Sequence, residues 1–230
     1  MIDFTTAEFW LAALEIIAVN ILLSGDNAVV IALACRKLPR RQRTLGVIWG
    51  ALGAIVLRIA ITFFAVRMLE LPFLKLVGGA LLLWIGIKLI VDDAGTATET
   101  SVRASDRLVA AVWTIIVADL VMSLDNVMAV AAAAKGQVEL MVFGLVVSIP
   151  IVVIGAQIIM RLTGRYPIVV IAGGGLLGYI AGDMAVDDPV VRPWFAANAP
   201  GVAEIIPLAG FVAVVAAGLW FTRERARTAR

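Results

Sequence analysis

The sequence predicts an all-α polytopic membrane protein with seven transmembrane helices, arranged as two inverted three-helix repeats plus one extra C-terminal helix. Three observations predict it. Hydrophobic residues fill 62% of the 230 positions and charged residues 16%, with a mean hydropathy of +1.03, which excludes ordinary soluble folds. The apolar residues gather into seven runs of membrane-spanning length, for which roughly 20 residues suffice. A polar pattern that is expensive in lipid sits inside the first run and returns inside the fourth.

The first run, 9–34, is longer than a signal-peptide core and shows no small-residue cleavage site, so it reads as a retained helix. Within it, Asn20-Ile-Leu-Leu-Ser-Gly-Asp-Asn27 places Asp26 near mid-bilayer, a position that costs an acid roughly 2.5–3.5 kcal/mol on insertion scales. Gly25 beside it weakens the helix. The second and third runs are 44–69 and 72–91. The fourth, 108–134, carries Asp119-Leu-Val-Met-Ser-Leu-Asp-Asn126, in which Ser24, Asp26 and Asn27 return after 99 residues as Ser123, Asp125 and Asn126. The fifth, sixth and seventh runs are 138–160, 166–185 and 204–222.

The third and sixth runs match at an offset of 95, from Pro72, Gly78 and Gly79 against Pro167, Gly173 and Gly174 to Asp92-Asp93 against Asp187-Asp188. An odd number of spans per copy turns the second copy upside down, an architecture that secondary transporters use for alternating access. The expected organisation is a first repeat over 1–91, a polar cytoplasmic linker over 92–106 and a second, inverted repeat over 107–188. An external loop over 189–203 and a seventh helix with a basic cytoplasmic tail over 204–230 complete it. The seventh helix has no counterpart and reads as a peripheral addition.

Orientation follows from the basic residues. Arg36, Lys37, Arg40, Arg41 and Arg43 lie between the first two runs, Lys88, Arg103 and Arg107 between the third and fourth, Arg161 and Arg165 after the fifth, and Arg223, Arg225, Arg227 and Arg230 after the seventh. The opposite side holds Arg67, Lys75, Lys135 and Arg192. The N-terminus is therefore expected outside and the C-terminus in the cytoplasm, in a cytoplasmic (inner) membrane. Gly46-x3-Gly50-x3-Ala54 and Gly174-x3-Gly178-x3-Gly182 are spaced to let neighbouring helices approach closely.

The chemistry available is oxygen chemistry. There is no His and a single Cys35, so an internal disulfide is excluded and zinc or copper sites are disfavoured. On a regular helix Asp26 and Asp125 stand about 100° from Asn27 and Asn126. Breaks at Ser24-Gly25-Asp26 and at Ser123-Leu124-Asp125 are expected to gather these side chains and free backbone carbonyls, giving a cage of about six oxygens suited to Mn2+, Mg2+ or Ca2+. Monovalent cations stay open as cargo. Glu15 shares the face of Asp26 but lies about 16 Å along the axis, too far to share one ion. Met122 and Met128 flank the second motif; a thioether ligand would favour Mn2+, while packing is the commoner use of methionine.

A structural alternative is a polar network in which Arg58 neutralises Asp26 or Asp125. Four candidate buried acids, Glu15, Asp26, Asp119 and Asp125, against this one cation, and the duplication of the motif, favour a binding site. Arg58 also falls 99 residues before Gln157, so one half carries a charge where the other has an amide. Arg58 could occupy the site when no ion is there. Releasing a divalent ion leaves two uncompensated carboxylates, from which proton coupling is expected, with Asp119 as the carrier.

Ile21-Leu-Leu-Ser-Gly-Asp-Asn-Ala-Val-Val-Ile-Ala-Leu-Ala34, its echo at Leu120–Asn126 and the seven-span plan resemble the TerC family of integral membrane proteins, closest to its YjbE-like branch, which belongs with the LysE-type exporters. The resemblance covers nearly the whole chain. It implies manganese efflux, with Asp26, Asn27, Asp125 and Asn126 as the metal-binding core and Asp119 beside it. Asn20 departs from the pattern, since an acid is usual there. Glu15, Asn20, Ser24, Ser123, Arg58, Met122, Met128 and Asp183 are the residues expected to support the site or line the pathway.

The expectation is thus an exporter of divalent cations, Mn2+ first among them, with no enzymatic activity and no catalytic cofactor. Its partners are the metal-ion substrate and the lipid bilayer, with no nucleic acid; a homo-oligomer is open. Two other classes compete: an exporter of a small organic solute, which would need groups to recognise an amino or carboxyl function, and a non-transporting membrane assembly factor. Metal-dependent stabilisation of the protein separates the first reading from both.

Overall fold

A computed structural model of the chain describes residues 10, 11, 14, 17, 18, 25–69, 71–94, 104–133 and 138–228, with only the backbone described at 25, 62–69, 93, 94, 104, 124–133, 138–141, 225, 226 and 228. The described residues form helices and no strands: α1 Gly25–Cys35, α2 Arg40–Leu69, α3 Leu74–Ala94, α4 Ala104–Ala133, α5 Val138–Arg165, α6 Ile168–Val186, α7 Arg192–Asn198 and α8 Pro200–Thr228. Five of them contain stretches long and apolar enough to cross a membrane: Arg40–Ile61, Leu74–Asp92, Val142–Arg165, Ile168–Val186 and Pro200–Glu224. Helix α1 is a shorter apolar helix, and α4, at 30 residues, has the length of a span. The chain is an all-helical, multi-pass membrane protein.

Three local expectations are corrected. The basic connection after the first run is short, because α2 begins at Arg40 and takes Arg40, Arg41 and Arg43 into the helix. Pro39 starts its first turn, accepting from the backbone N–H of Gln42 and Arg43 at 2.8 and 3.0 Å. Segment 189–203 is not simply a loop: Pro193 sits at the start of α7, where its fixed φ and missing N–H suit a first helical turn. The predicted break at Ser123-Leu124-Asp125 is absent, since α4 runs unbroken to Ala133. Leu124 is a good helix former, and Ser123 is held within the helix by its hydroxyl, which donates to Asp119 one turn earlier. The expected break at Ser24-Gly25-Asp26 and the linker residues 95–103 lie outside the described residues, except that α1 begins at Gly25.

The chain forms two compact units, Met1–Leu69 with Leu108–Met160 and Glu70–Arg107 with Arg161–Arg230. In the first, Ile31, Ala32, Cys35, Leu38, Val47, Ala111, Ile115 and Ala156 make a buried apolar cluster joining α1, α2, α4 and α5. The small residues of α2 allow this approach. A Cβ on Gly50 would lie 2.6 Å from Ile115 Cδ1, and one on Gly46 2.9 Å from Cys35 Sγ.

In the second unit α6 is gripped from both sides. A Cβ on Gly79 of α3 would lie 2.7 Å from the carbonyl oxygen of Ala181, and one on Gly182 would lie 2.6 Å from that of Ile206 in α8. Gly178 and Gly210 put their backbones in direct contact. Helix α8, expected to be peripheral, thus packs through Pro207, Gly210, Val214 and Gly218, the last against Ile90 of α3. The turn before α3 is clipped by Asp188, a fully buried carboxylate that accepts from the backbone N–H groups of Phe73, Leu76 and Val190 at 3.3, 3.4 and 3.0 Å. Phe73 there adopts φ 65°.

Part of the burial pattern of α2 recurs in α5. Positions 46, 47, 50 and 58 of α2 are buried, and so are 144, 145, 148 and 156 of α5, each pair 98 residues apart. At that spacing Ala156 stands against Arg58. Gln157, the counterpart expected at an offset of 99, is exposed.

Candidate functional site

Helix α2 reaches Arg58 into the interior of the first unit as a side chain only 4% exposed. A guanidinium there needs partners, and α4 supplies two from a single face, because Asp119 and Ser123 are one turn apart. Arg58 Nη2 donates to Asp119 Oδ1 at 2.6 Å and Arg58 Nε to Ser123 Oγ at 2.9 Å. The Ser123 hydroxyl donates to Asp119 Oδ2 at 3.1 Å, closing a ring of three side chains. Asp119 is 7% exposed and Ser123 fully buried. Among the described side chains the acid that Arg58 meets is Asp119; the side chain of Asp125, one of its two expected partners, lies outside the described residues.

Helix α1 brings its first turn to the same region. The half-buried Asp26 accepts the backbone N–H of Asn27 at 2.8 Å, satisfying one of the donors that a helix start leaves open. Asn27 is buried, and its Oδ1 has no hydrogen-bond partner among the described residues. Such an acceptor is uncommon in a folded interior, where a water, an ion or another side chain ordinarily meets it. Asn27 and Asp119 line one side of a cavity of about 10 Å³, completed by Val30, Ile31, Ala54 and Ile115. That is close to the least space that holds a single water molecule.

The predicted set is gathered in part. Asp26, Asn27, Arg58, Asp119 and Ser123 fall in one region of the first unit. Asp125 and Asn126 lie six and seven residues beyond Asp119 on the continuous backbone of α4. The side chains of Asp125, Asn126 and Met128, and all of Glu15, Asn20 and Ser24, lie outside the described residues. Met122 is buried and does not line the cavity. Asp183 is exposed near the end of α6, in the second unit. Among the described residues no group of three or more His, Cys, Asp or Glu is placed to hold a metal ion. The Arg58–Asp119 pairing escaped the sequence, though the shared face of Asp119 and Ser123 was readable from their spacing.

Apolar helices of spanning length around buried Arg, Asp, Ser and Asn side chains define a polytopic membrane protein with a polar interior site, the arrangement found where solutes or ions are handled. Comparison narrows the class. The model for the integral membrane protein TerC family matches residues 5–226, and the chain belongs to that family. It is 37% identical over 214 residues to the membrane protein YjbE of Bacillus subtilis (strain 168), covering 93% of this chain and 96% of the relative. It is 28% identical over 171 residues to the membrane protein YceF of the same organism, covering 71% and 66%. To the inner membrane protein YgdQ of Escherichia coli (strain K12) it is 25% identical over 178 residues, covering 71% and 75%. No solved structure matches the chain.

Proposed function

We propose that this protein exports divalent metal cations across the cytoplasmic membrane, with Mn2+ as the favoured cargo, through a site between two inverted repeats. The observation that carries the reading is the buried Asn27, whose Oδ1 has no hydrogen-bond partner among the described residues and which lines a cavity together with Asp119. A neutral amide oxygen next to carboxylates is a donor set for a hard cation, and the Asp-Asn motif occurs twice. Asp26, Asn27, Asp125 and Asn126 form the proposed core, with Asp119 beside it. The matching burial of α2 and α5 at an offset of 98 supports the duplicated architecture. The N-terminus is placed outside and the C-terminus inside by the distribution of basic residues.

The organic-solute reading gains one observation, the buried guanidinium of Arg58, a group suited to a carboxylate. That guanidinium is already engaged by Asp119 and Ser123, whereas the Asn27 oxygen is an acceptor and suits a cation. Metal reading and solute reading part in a thermal-unfolding titration of purified protein. Mn2+ is expected to raise the melting temperature and amino acids to leave it unchanged; the reverse pattern would replace this proposal.

A further inference from the structure

The Asp119 carboxylate has two neighbours of different kinds. It holds Arg58 at 2.6 Å, with Ser123 bridging, and Asp119 also lines the cavity together with Asn27, whose Oδ1 has no hydrogen-bond partner among the described residues. A divalent cation entering beside Asn27 would meet a carboxylate already neutralised, and a positive charge within the same low-dielectric interior. Like charges repel there far more strongly than in water. Cation and guanidinium therefore cannot both be held well by Asp119.

The duplicated halves sharpen the point. Neither Ala156 nor Gln157, 98 and 99 residues after Arg58, is basic, and the motif offset pairs Asp119 with Asn20. The half that lacks the guanidinium also lacks the acid. Arg58 and Asp119 thus behave as a matched unit present in one half, rather than as two independent features of the repeat.

We propose that Arg58 is a tethered competitor of the cargo: it occupies Asp119 while the site is empty, weakens cation binding by its charge, and so speeds cation release. This rests on the export reading and assigns to the same site a built-in limit on affinity. It makes Arg58 a positioning residue that acts on the cation through Asp119. A purely structural ion pair predicts the opposite sign, because breaking it disorders the site and weakens binding.

The test is calorimetric titration of the purified full chain with Mn2+ at fixed salt. Arg58→Gln keeps a hydrogen-bond donor toward Asp119 and Ser123 but removes the charge. It is expected to bind Mn2+ at least about tenfold more tightly than the unmodified protein, while Arg58→Lys, which keeps the charge, stays within about threefold. Equal or weaker binding by inserted Arg58→Gln overturns the competitor and leaves the export reading standing; no binding by the unmodified protein overturns both. Should Arg58→Gln fail to insert, the neutral pair Arg58→Gln/Asp119→Asn decides. Loss of a carboxylate offset by loss of the competing charge is expected to leave its affinity within about threefold of the unmodified protein, and a fall of about tenfold or more overturns the proposal.

Discussion

Arg58 of α2 and Asp119 of α4 form an ion pair at 2.6 Å with side chains 4% and 8% exposed, far apart in sequence and adjacent in the interior of the first unit. A buried pair of this kind is not strong grounds for stability, because desolvation offsets much of its Coulomb energy, but either partner alone is strongly destabilising. Asp119→Asn is therefore expected to lower thermal stability by about 3–5 kcal/mol. Adding Arg58→Gln to it should recover most of that loss, measured as melting temperature in one detergent. Additive destabilisation would show that the two residues do not depend on each other.

Two sources of positive charge compete to neutralise the vacated site: a proton on a carboxylate, or Arg58. Removing the second should expose the first. Export by Arg58→Gln in proteoliposomes is expected to depend more steeply on an imposed inward proton gradient than export by the unmodified protein. Equal dependence in both would assign neutralisation to the proton alone, with Asp119 as its carrier.

Met122 is buried but absent from the cavity lining. Met122→Leu, a near-isosteric change, is expected to leave the competition between Mn2+ and Mg2+ unchanged and to cost less than about 1.5 kcal/mol of stability. A loss of Mn2+ preference would make the thioether a ligand.

The second unit offers a test of packing that leaves the ion site untouched. A Cβ on Gly178 would press on backbone atoms of Gly210 in α8, which cannot swing aside as a side chain can. Gly178→Ala is expected to destabilise by about 1–3 kcal/mol, whereas Gly164→Ala, with nothing within 4 Å, should be neutral or slightly stabilising. Similar melting temperatures for the two variants would contradict the close α6–α8 contact.

Much of this fold was legible in the sequence because lipid enforces it. Apolar runs had to be helices, and small residues four apart had to mark close approach, as Gly50 against Ile115 and Gly182 against Ile206 bear out. The breakpoints were harder. Gathering the polar groups calls for a break at Ser123–Asp125, yet Leu124 and the Ser123 hydroxyl bond to Asp119 favour a continuous helix. Helix α7 is short, largely exposed and without apolar periodicity, so its proline-led start was the only cue. The acid chosen by Arg58 depends on how α2 and α4 cross, which helical spacing within either one does not encode. Gln157, which falls 99 residues after Arg58, is exposed, whereas its neighbour Ala156 is buried, a distinction that spacing alone does not encode.

The central claim is that divalent cations pass through a site containing Asp26, Asn27 and their repeats. Mn2+ flux measured in proteoliposomes, with a metal-quenched dye on the receiving side, tests it most directly. The unmodified protein is expected to carry Mn2+ well above the leak of empty vesicles, and Asp26→Asn or Asp125→Asn, inserted to equal amounts, to fall to that leak. Flux at the leak level with the unmodified protein, or undiminished flux in either variant, would contradict the account.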